Sequence, residues 1–426
     1  MTKTPPRWRR RLGIAALILL GLALLGWRLG ISLLERTSPP GESAAPATCV
    51  GTLDPAYAEA AERARRQLLA TLIEREIPGL TVAVAVGGRL VWSEGLGYAD
   101  RDAEVPACPN MQFRLHSVSK LITAAGMARL VERGVLDLDA PASSYVPDLP
   151  PALGAVTARQ LASHRAGVRH YRDDNESLNT TRYETATASL EKFKNDSLVF
   201  PPDSRSGYSS YGFVLLGAVM EGASGLDFPT LIEREVFEPL GMTRSEAERR
   251  DETGTPRVTL YDHVTPYSLD GSTVVSPTLD FSSKWAGGGM LSTAEDLARF
   301  GAAHIEPFNE GFLRDETLDL LFKPRTRQFV VFGQGLGWVV ARDHRFRRLA
   351  AHFGAGSGGS SFLAIYPDRE VSVALLANLG HASFSMRRLF GVVNPFVGDP
   401  LGPIAWLASV AAFATAFALW RRGTNT

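Results

Sequence analysis

The sequence predicts an α+β fold of the α/β sandwich type: one antiparallel sheet of N- and C-terminal strands, flanked by helices, with a mainly helical middle subdomain. Three observations lead there. Strand-forming runs stand at both ends of the body, the middle third is largely helical, and 45% of the 426 residues are hydrophobic, enough to fill a sizeable core. Lys plus Arg and Asp plus Glu both number 45, so the formal charge is zero. No basic stripe with interleaved aromatics occurs, which sets nucleic acid aside as a partner.

The elements follow in order. The Pro-rich TSPPGESAAPAT reads as a linker within residues 37–53. Asp54 and Pro55 then supply an N-cap and an N1 proline to a helix reaching about Arg75. GLTVAVAVGGRLVWSEGLGYAD reads as two strands around Gly87-Gly88, a hairpin signal. Helices are expected over 117–133, from Tyr208 in YSSYGFVLLGAVMEGASG, and in FPTLIEREVFEPLGM. The polar, turn-rich stretch 172–200 between them is expected to border the entrance of a cleft. From Gly335 the pattern returns to strands in GLGWVVAR, RLAAHF, SSFLAIYP and EVSVALLAN, separated by DHRF, GAGSGG and PDRE turns. Strands at both ends with helices between imply that the N-terminal hairpin joins the C-terminal meander in one sheet.

Two apolar segments flank this body, which spans residues 54–395. Residues 1–36 place Lys3, Arg7, Arg9, Arg10 and Arg11 ahead of an apolar run from Leu12 to Trp27, the pattern of a signal-anchor transmembrane helix. A cleaved secretory signal is the alternative, but the nearest A-x-A pattern, Ala45 to Ala47, lies far downstream. Residues 401–420, LGPIAWLASVAAFATAFALW, have the length of a second transmembrane helix and precede Arg421 and Arg422. A buried C-terminal helix is the alternative there, although the segment has no polar face. Positive flanks at both ends put the termini in the cytoplasm and the body on the periplasmic, extracytoplasmic side of a bacterial inner membrane. Cys49 and Cys108 are the only cysteines: in an oxidising compartment they can close a disulfide, and otherwise they are two unrelated thiols.

The candidate chemistry starts at FRLHSVSKLITAAGMARLVERG. Only six of the 45 basic residues are lysines, yet Lys120 stands at the front of an apolar helix, where the macrodipole disfavours an ammonium group. Ser117 lies three residues earlier on the same helical face. A lysine that loses its proton there can take the serine proton and create a nucleophile without histidine. The pattern alone is weak, since Ser189-Leu190-Glu191-Lys192 repeats it in a polar stretch that reads as a solvated helix face. Two partners stand at suitable places. Tyr208 opens an apolar helix, where its phenol can relay a proton, and His352-Phe353-Gly354 ends a strand before a glycine run that admits close approach. Packed aromatic and structural histidine are the bland alternatives for the two. No G-x-S-x-G elbow and no H-E-x-x-H occur, and the eight histidines show no ligand spacing, so neither a metal nor a cofactor is expected.

HSVSK, YSSYG and HFGAGSGGSS, separated by about 90 and then about 145 residues, resemble the three motifs of the serine beta-lactamase and penicillin-binding-protein superfamily. LASHRAGVRHY, FKNDSLVF and KWAGGGMLSTAEDLARF extend the resemblance over roughly residues 55–385. Together they most resemble the LACTB-type beta-lactamase-like serine hydrolases, with class C beta-lactamases and related esterases as cousins. The resemblance implies a beta-lactamase/transpeptidase-like fold in which Ser117 is acylated, Lys120 is its base and Tyr208 assists proton transfer. His352 would stand where the third motif usually has lysine. The backbone N–H groups of Ser117 and Ala355 would form an oxyanion hole, and Ser210 and Gly354 would contact substrate.

Departures shape the expected activity. Phe353 replaces the hydroxyl of the third motif, and Ser210 stands where the second usually ends in asparagine. Losing such polar contacts weakens recognition of a small anionic lactam. The expectation is therefore amide or ester hydrolysis of a small-molecule or peptide substrate, with weak or no beta-lactamase activity. The alternative is a membrane-tethered sensor or scaffold with a beta-lactamase-like ligand-binding domain. Some relatives form filaments, so a homo-oligomer or filament stays open.

Overall fold

The N-terminal hairpin consists of β2 (Gly79–Val86) and β3 (Arg89–Asp100), joined at Gly87-Gly88 as the sequence requires. In this computed structural model, which describes residues 47–249, 257–263, 273–309, 311–329, 332–343, 345–382 and 384–398, β2 does not end its sheet. It pairs antiparallel with β9 (Val371–Ala377), from Val86↔Val371 to Leu80↔Ala377, and so joins the two ends of the body. β8 (Gly359–Tyr366), β7 (Arg348–Gly356), β6 (Val339–Arg342), β5 (Phe332–Gln334) and β4 (Thr326–Phe329) continue the meander. With β1 (Thr48–Leu53) on the other edge, the strand order is β1-β3-β2-β9-β8-β7-β6-β5-β4.

Alternation along the central strands serves two cores. Val82, Val84, Val373 and Leu375 point to one face, where α1 (Ala58–Glu74) and α5 (Met386–Val397) contribute Leu68, Leu72, Leu389 and Val393. Ala83, Ala374 and Leu376 point to the other, into a larger core shared with α2 (Ser119–Glu132), α3 (Ser210–Ser224) and α4 (Ala294–Ala302). Both faces are covered, so the central strands read as unbroken apolar runs rather than alternating ones. Asp54 caps its turn by accepting from the Ala56 N–H at 2.9 Å, as expected. Ser209 caps α3 and Gly225, at φ 73°, ends it.

Three expectations need correction. Residues 48–53 are not linker: TCVGTL forms β1, paired Cys49↔Gly95 with β3, because a backbone beside an open strand edge gains a ladder of hydrogen bonds whatever its composition. Ser189 is not on a solvated face: it is buried and donates to the Ala186 carbonyl at 2.7 Å. The body also runs past residue 395, since α5 extends to Val397. Cys49 and Cys108 form a disulfide with Cα atoms 5.1 Å apart, which ties β1 to the chain leading into the Ser117 turn. The apolar segments 1–36 and 401–420 lie outside the described residues. Among the described residues no helix is long and apolar enough to cross a membrane.

Candidate active site

Ser117 occupies the middle of a 3-10 turn, His116–Val118, that leads directly into α2. The turn is strained: His116 has φ 44°, a left-handed conformation that costs a residue with a Cβ about 1–3 kcal/mol. Packing over-determines it. The His116 ring meets Phe281 edge-on at 5.7 Å, and Gly354 fits beneath the turn where a Cβ would stand 2.1 Å from the Leu115 carbonyl oxygen.

Lys120 is fully buried one turn later. Its Nζ donates to the Gly287 carbonyl at 2.5 Å, to Ser210 Oγ at 3.1 Å and to Ser117 Oγ at 3.3 Å. These contacts use all three donors of an ammonium, and among the described residues no carboxylate stands within ion-pair distance. Burial pushes Lys120 below its ordinary pKa, with the nearby Tyr208 oxygen working the other way. A neutral amine here keeps two donations and turns its lone pair to the third position, so it can receive the Ser117 proton. The approach of Gly287 depends on Gly217 of α3, where a Cβ would come within 2.8 Å of the Ala286 methyl.

Tyr208 completes the contact from the other side, its Oη donating to Ser117 Oγ at 2.7 Å. Its ring lies 4.6 Å from His164, 5.4 Å from His170 and 6.3 Å from His352. His164 Nδ1 accepts from the Ser209 N–H at 3.2 Å and His170 Nδ1 from the Ser210 N–H at 3.1 Å. Each ring must therefore carry its proton on Nε2. Burial and then the Lys120 charge hold His170 at about 4, and hold His164 well below its ordinary value. Two neutral rings thus position the segment that bears Tyr208 and Ser210.

The fourth side is β7. Its pairing with β6 ends at Ala351, which leaves the 352–356 edge without a β6 partner and close to the Ser117 turn. Ala355 lines the cleft with Ser117. The even positions turn inward, and this corrects the assignment of Gly354. Gly354 packs under the Ser117 turn rather than contacting substrate. His352 is buried, donates from Nδ1 to the Phe353 carbonyl at 2.6 Å, and is held at about 4 by burial and then by Lys120. A neutral buried imidazole is not an anion clamp.

The cleft measures about 630 Å³, within the usual range of small-molecule sites. Arg172, Asp173, Ser177 and Leu178 line it, so the polar 172–200 stretch borders it as expected. The sequence reading missed His164, His170, Lys284 and Asp262. Asp262 accepts from Ser357 Oγ at 2.7 Å, Ser276 Oγ at 2.6 Å and the Gly358 N–H at 2.9 Å, pinning the β7–β8 turn just past Ala355. Among the described residues no three His, Cys, Asp or Glu side chains converge as metal ligands.

By fold, and by a buried lysine and a phenol converging on one serine at a strand edge, this is a protein of the beta-lactamase/transpeptidase class. The chain belongs to the Beta-lactamase family, whose model matches residues 59–393. It is 30% identical over 403 residues, 73% of each chain, to the serine beta-lactamase-like protein LACTB, mitochondrial, of Homo sapiens. It is 26% identical over 323 residues to penicillin-binding protein 4* of Bacillus subtilis, covering 73% of this chain and 70% of that one. The octameric penicillin-binding protein homologue from Pyrococcus abyssi shares the fold, with a TM-score of 0.70 at 23% identity over 80% of this chain and 78% of its own.

Proposed function

We propose that this protein is a serine hydrolase that cleaves an amide or ester bond through an acyl-enzyme, with weak or no beta-lactamase activity. The observation that carries the reading is Lys120: a fully buried amine with no carboxylate partner among the described residues, 3.3 Å from Ser117 Oγ. A buried lone ammonium is costly, so burial lowers the Lys120 pKa and eases the loss of the proton that a base must give up.

The steps balance. Lys120 takes the Ser117 proton as Oγ attacks the substrate carbonyl carbon, and the carbonyl electron pair moves to its oxygen. The N–H groups of Ser117 and Ala355 hold that oxyanion, an interaction typically worth about 3 kcal/mol of barrier per donor. Collapse expels the amine or alcohol, which takes its proton from Tyr208 Oη, and Lys120 restores the phenol. Water then repeats the sequence on the acyl-Ser117 ester. Phe353 in place of a hydroxyl and a neutral His352 support discrimination against small anionic lactams.

The test is the intact mass of the full chain after incubation with a fluorophosphonate probe, beside Ser117→Ala. One adduct on the wild type and none on the variant is expected. A folded wild type that takes no adduct removes the reading. With p-nitrophenyl acetate in place of the probe, a burst of one equivalent of nitrophenol with no further turnover would instead indicate the sensor or scaffold.

A further inference from the structure

A second lysine of the cleft has no part in the chemistry at Ser117. Lys284 immediately precedes Trp285–Gly288, the segment whose Gly287 carbonyl holds Lys120, and it lines the same cleft as Ser117. Its Nζ donates to the Ser177 carbonyl at 2.6 Å and lies 4.2 Å from the centre of the Phe281 ring. An ammonium has three N–H donors, and among the described residues no carboxylate lies within ion-pair distance of this one.

The neighbouring charges are already committed. Arg114 is held by Glu248 at 2.7 Å, and Arg172 at the cleft wall by Asp196 at 2.9 Å. Asp262 accepts three hydrogen bonds, and the Asp173 carboxylate accepts from the Glu176 N–H at 2.8 Å. Leu178, Val274 and Pro277 give the cleft an apolar wall. The result is a cation with spare donors beside an apolar surface, in the cavity that holds the nucleophilic serine.

We propose that Lys284 is an anion subsite that pairs with a carboxylate carried by the substrate, apart from the carbonyl that Ser117 attacks. The inference rests on the acyl-enzyme reading and names its substrate class: an amide or ester whose apolar chain ends in a carboxylate. Burial and then the Arg114 charge lower Lys284 to about 7, with Glu248 opposing them. A carboxylate at Nζ restores the full ammonium charge and completes its hydrogen bonds. This anion site stands apart from the third-motif strand, where His352 is neutral.

The test uses p-nitrophenyl half-esters of succinic, glutaric and adipic acids on the full chain, each against its methyl-capped diester. Hydrogen bonds to charged groups lead us to expect kcat/KM about 10- to 100-fold higher for the free acid of the best length. Lys284→Met should collapse that ratio to near one, and Lys284→Arg should retain most of it. Ser117 labelling by the fluorophosphonate counts the active sites in each preparation. Ser117-dependent turnover with no preference for the acid, or with a preference that Lys284→Met leaves intact, overturns the subsite and spares the hydrolase. No Ser117-dependent turnover of any ester, together with no adduct, overturns both.

Discussion

Two buried cations belong to the two cores of this protein and are handled in opposite ways. Arg347, in the core beneath α5, has its guanidinium against Asp343, with Nε donating to Oδ2 at 2.7 Å and further bonds to Asn394 and the Gly398 carbonyl. Lys120, in the helical core, has only a carbonyl and two hydroxyls. Both pay for desolvation, yet only Arg347 receives an opposite charge in return. The difference separates architecture from chemistry: a paired cation fixes the turn between β6 and β7 to α5, whereas an unpaired amine is left able to give up its proton.

The largest effect is expected at Lys120. Lys120→Met should lower the acylation rate of Ser117 by about 10²- to 10⁴-fold, the usual worth of a general base. Its thermal midpoint should not fall, because methionine fills the space without a buried charge. Stopped-flow acylation and calorimetry on one preparation check both halves. A midpoint that drops together with activity would make Lys120 a structural cation like Arg347.

Asp343→Ala is the opposite test. It strands Arg347 in a dry site and should cost about 3–5 kcal/mol of stability by denaturant titration. The folded fraction should still take one fluorophosphonate per Ser117. A cost under about 1 kcal/mol would show that the Arg347 bonds to Asn394 and Gly398 suffice without the ion pair.

How much of this was legible depends on how local each signal is. Ser117 and Lys120 were, because i and i+3 share a helical face. The sheet was also legible, because its hairpin and meander announce themselves by Gly87-Gly88 and by apolar runs between turns. Tyr208 was nominated as a relay by its place at the head of an apolar helix, but its contact to Ser117 spans 91 residues and its role beside that serine came through resemblance. His164 and His170 were quoted within LASHRAGVRHY but given no role, since the N–H groups they cap lie 45 and 40 residues on. Lys284 had a usable signal, being one of only six lysines, as Lys120 is. The inward facing of Gly354 also followed from the two-residue period of a strand, had it been applied from His352. β1 was hidden by the Pro-rich run that precedes it, and β4 by being a short edge strand, Thr326–Phe329, with a single apolar residue.

Acid should produce the smallest effect, through two buried histidines that differ in distance from Lys120. His304 sits among Phe300, Phe312 and Trp338, donates to the Phe300 carbonyl at 2.8 Å, and is held at about 4 by burial alone against that hydrogen bond. His352 is also held at about 4, by burial and then by the Lys120 charge. Both folded values lie below the ordinary 6.5 or so of the unfolded chain, so between them the unfolded state binds more protons. Stability is therefore full above about 6.5 and is lost as pH falls toward 4, by roughly 1 kcal/mol for each ring at pH 5.5. His304→Phe should shrink the stability difference between pH 7.5 and 5.5 by about that amount in urea titrations. Lys120→Met should shrink it too, through His352, His164 and His170, because a neutral neighbour no longer resists their imidazolium forms. The same acid loss in wild type and His304→Phe would mean that His304 is protonated without unfolding. A loss unchanged in Lys120→Met would mean that Lys120 is already uncharged at pH 5.5, the strongest form of the contrast with Arg347.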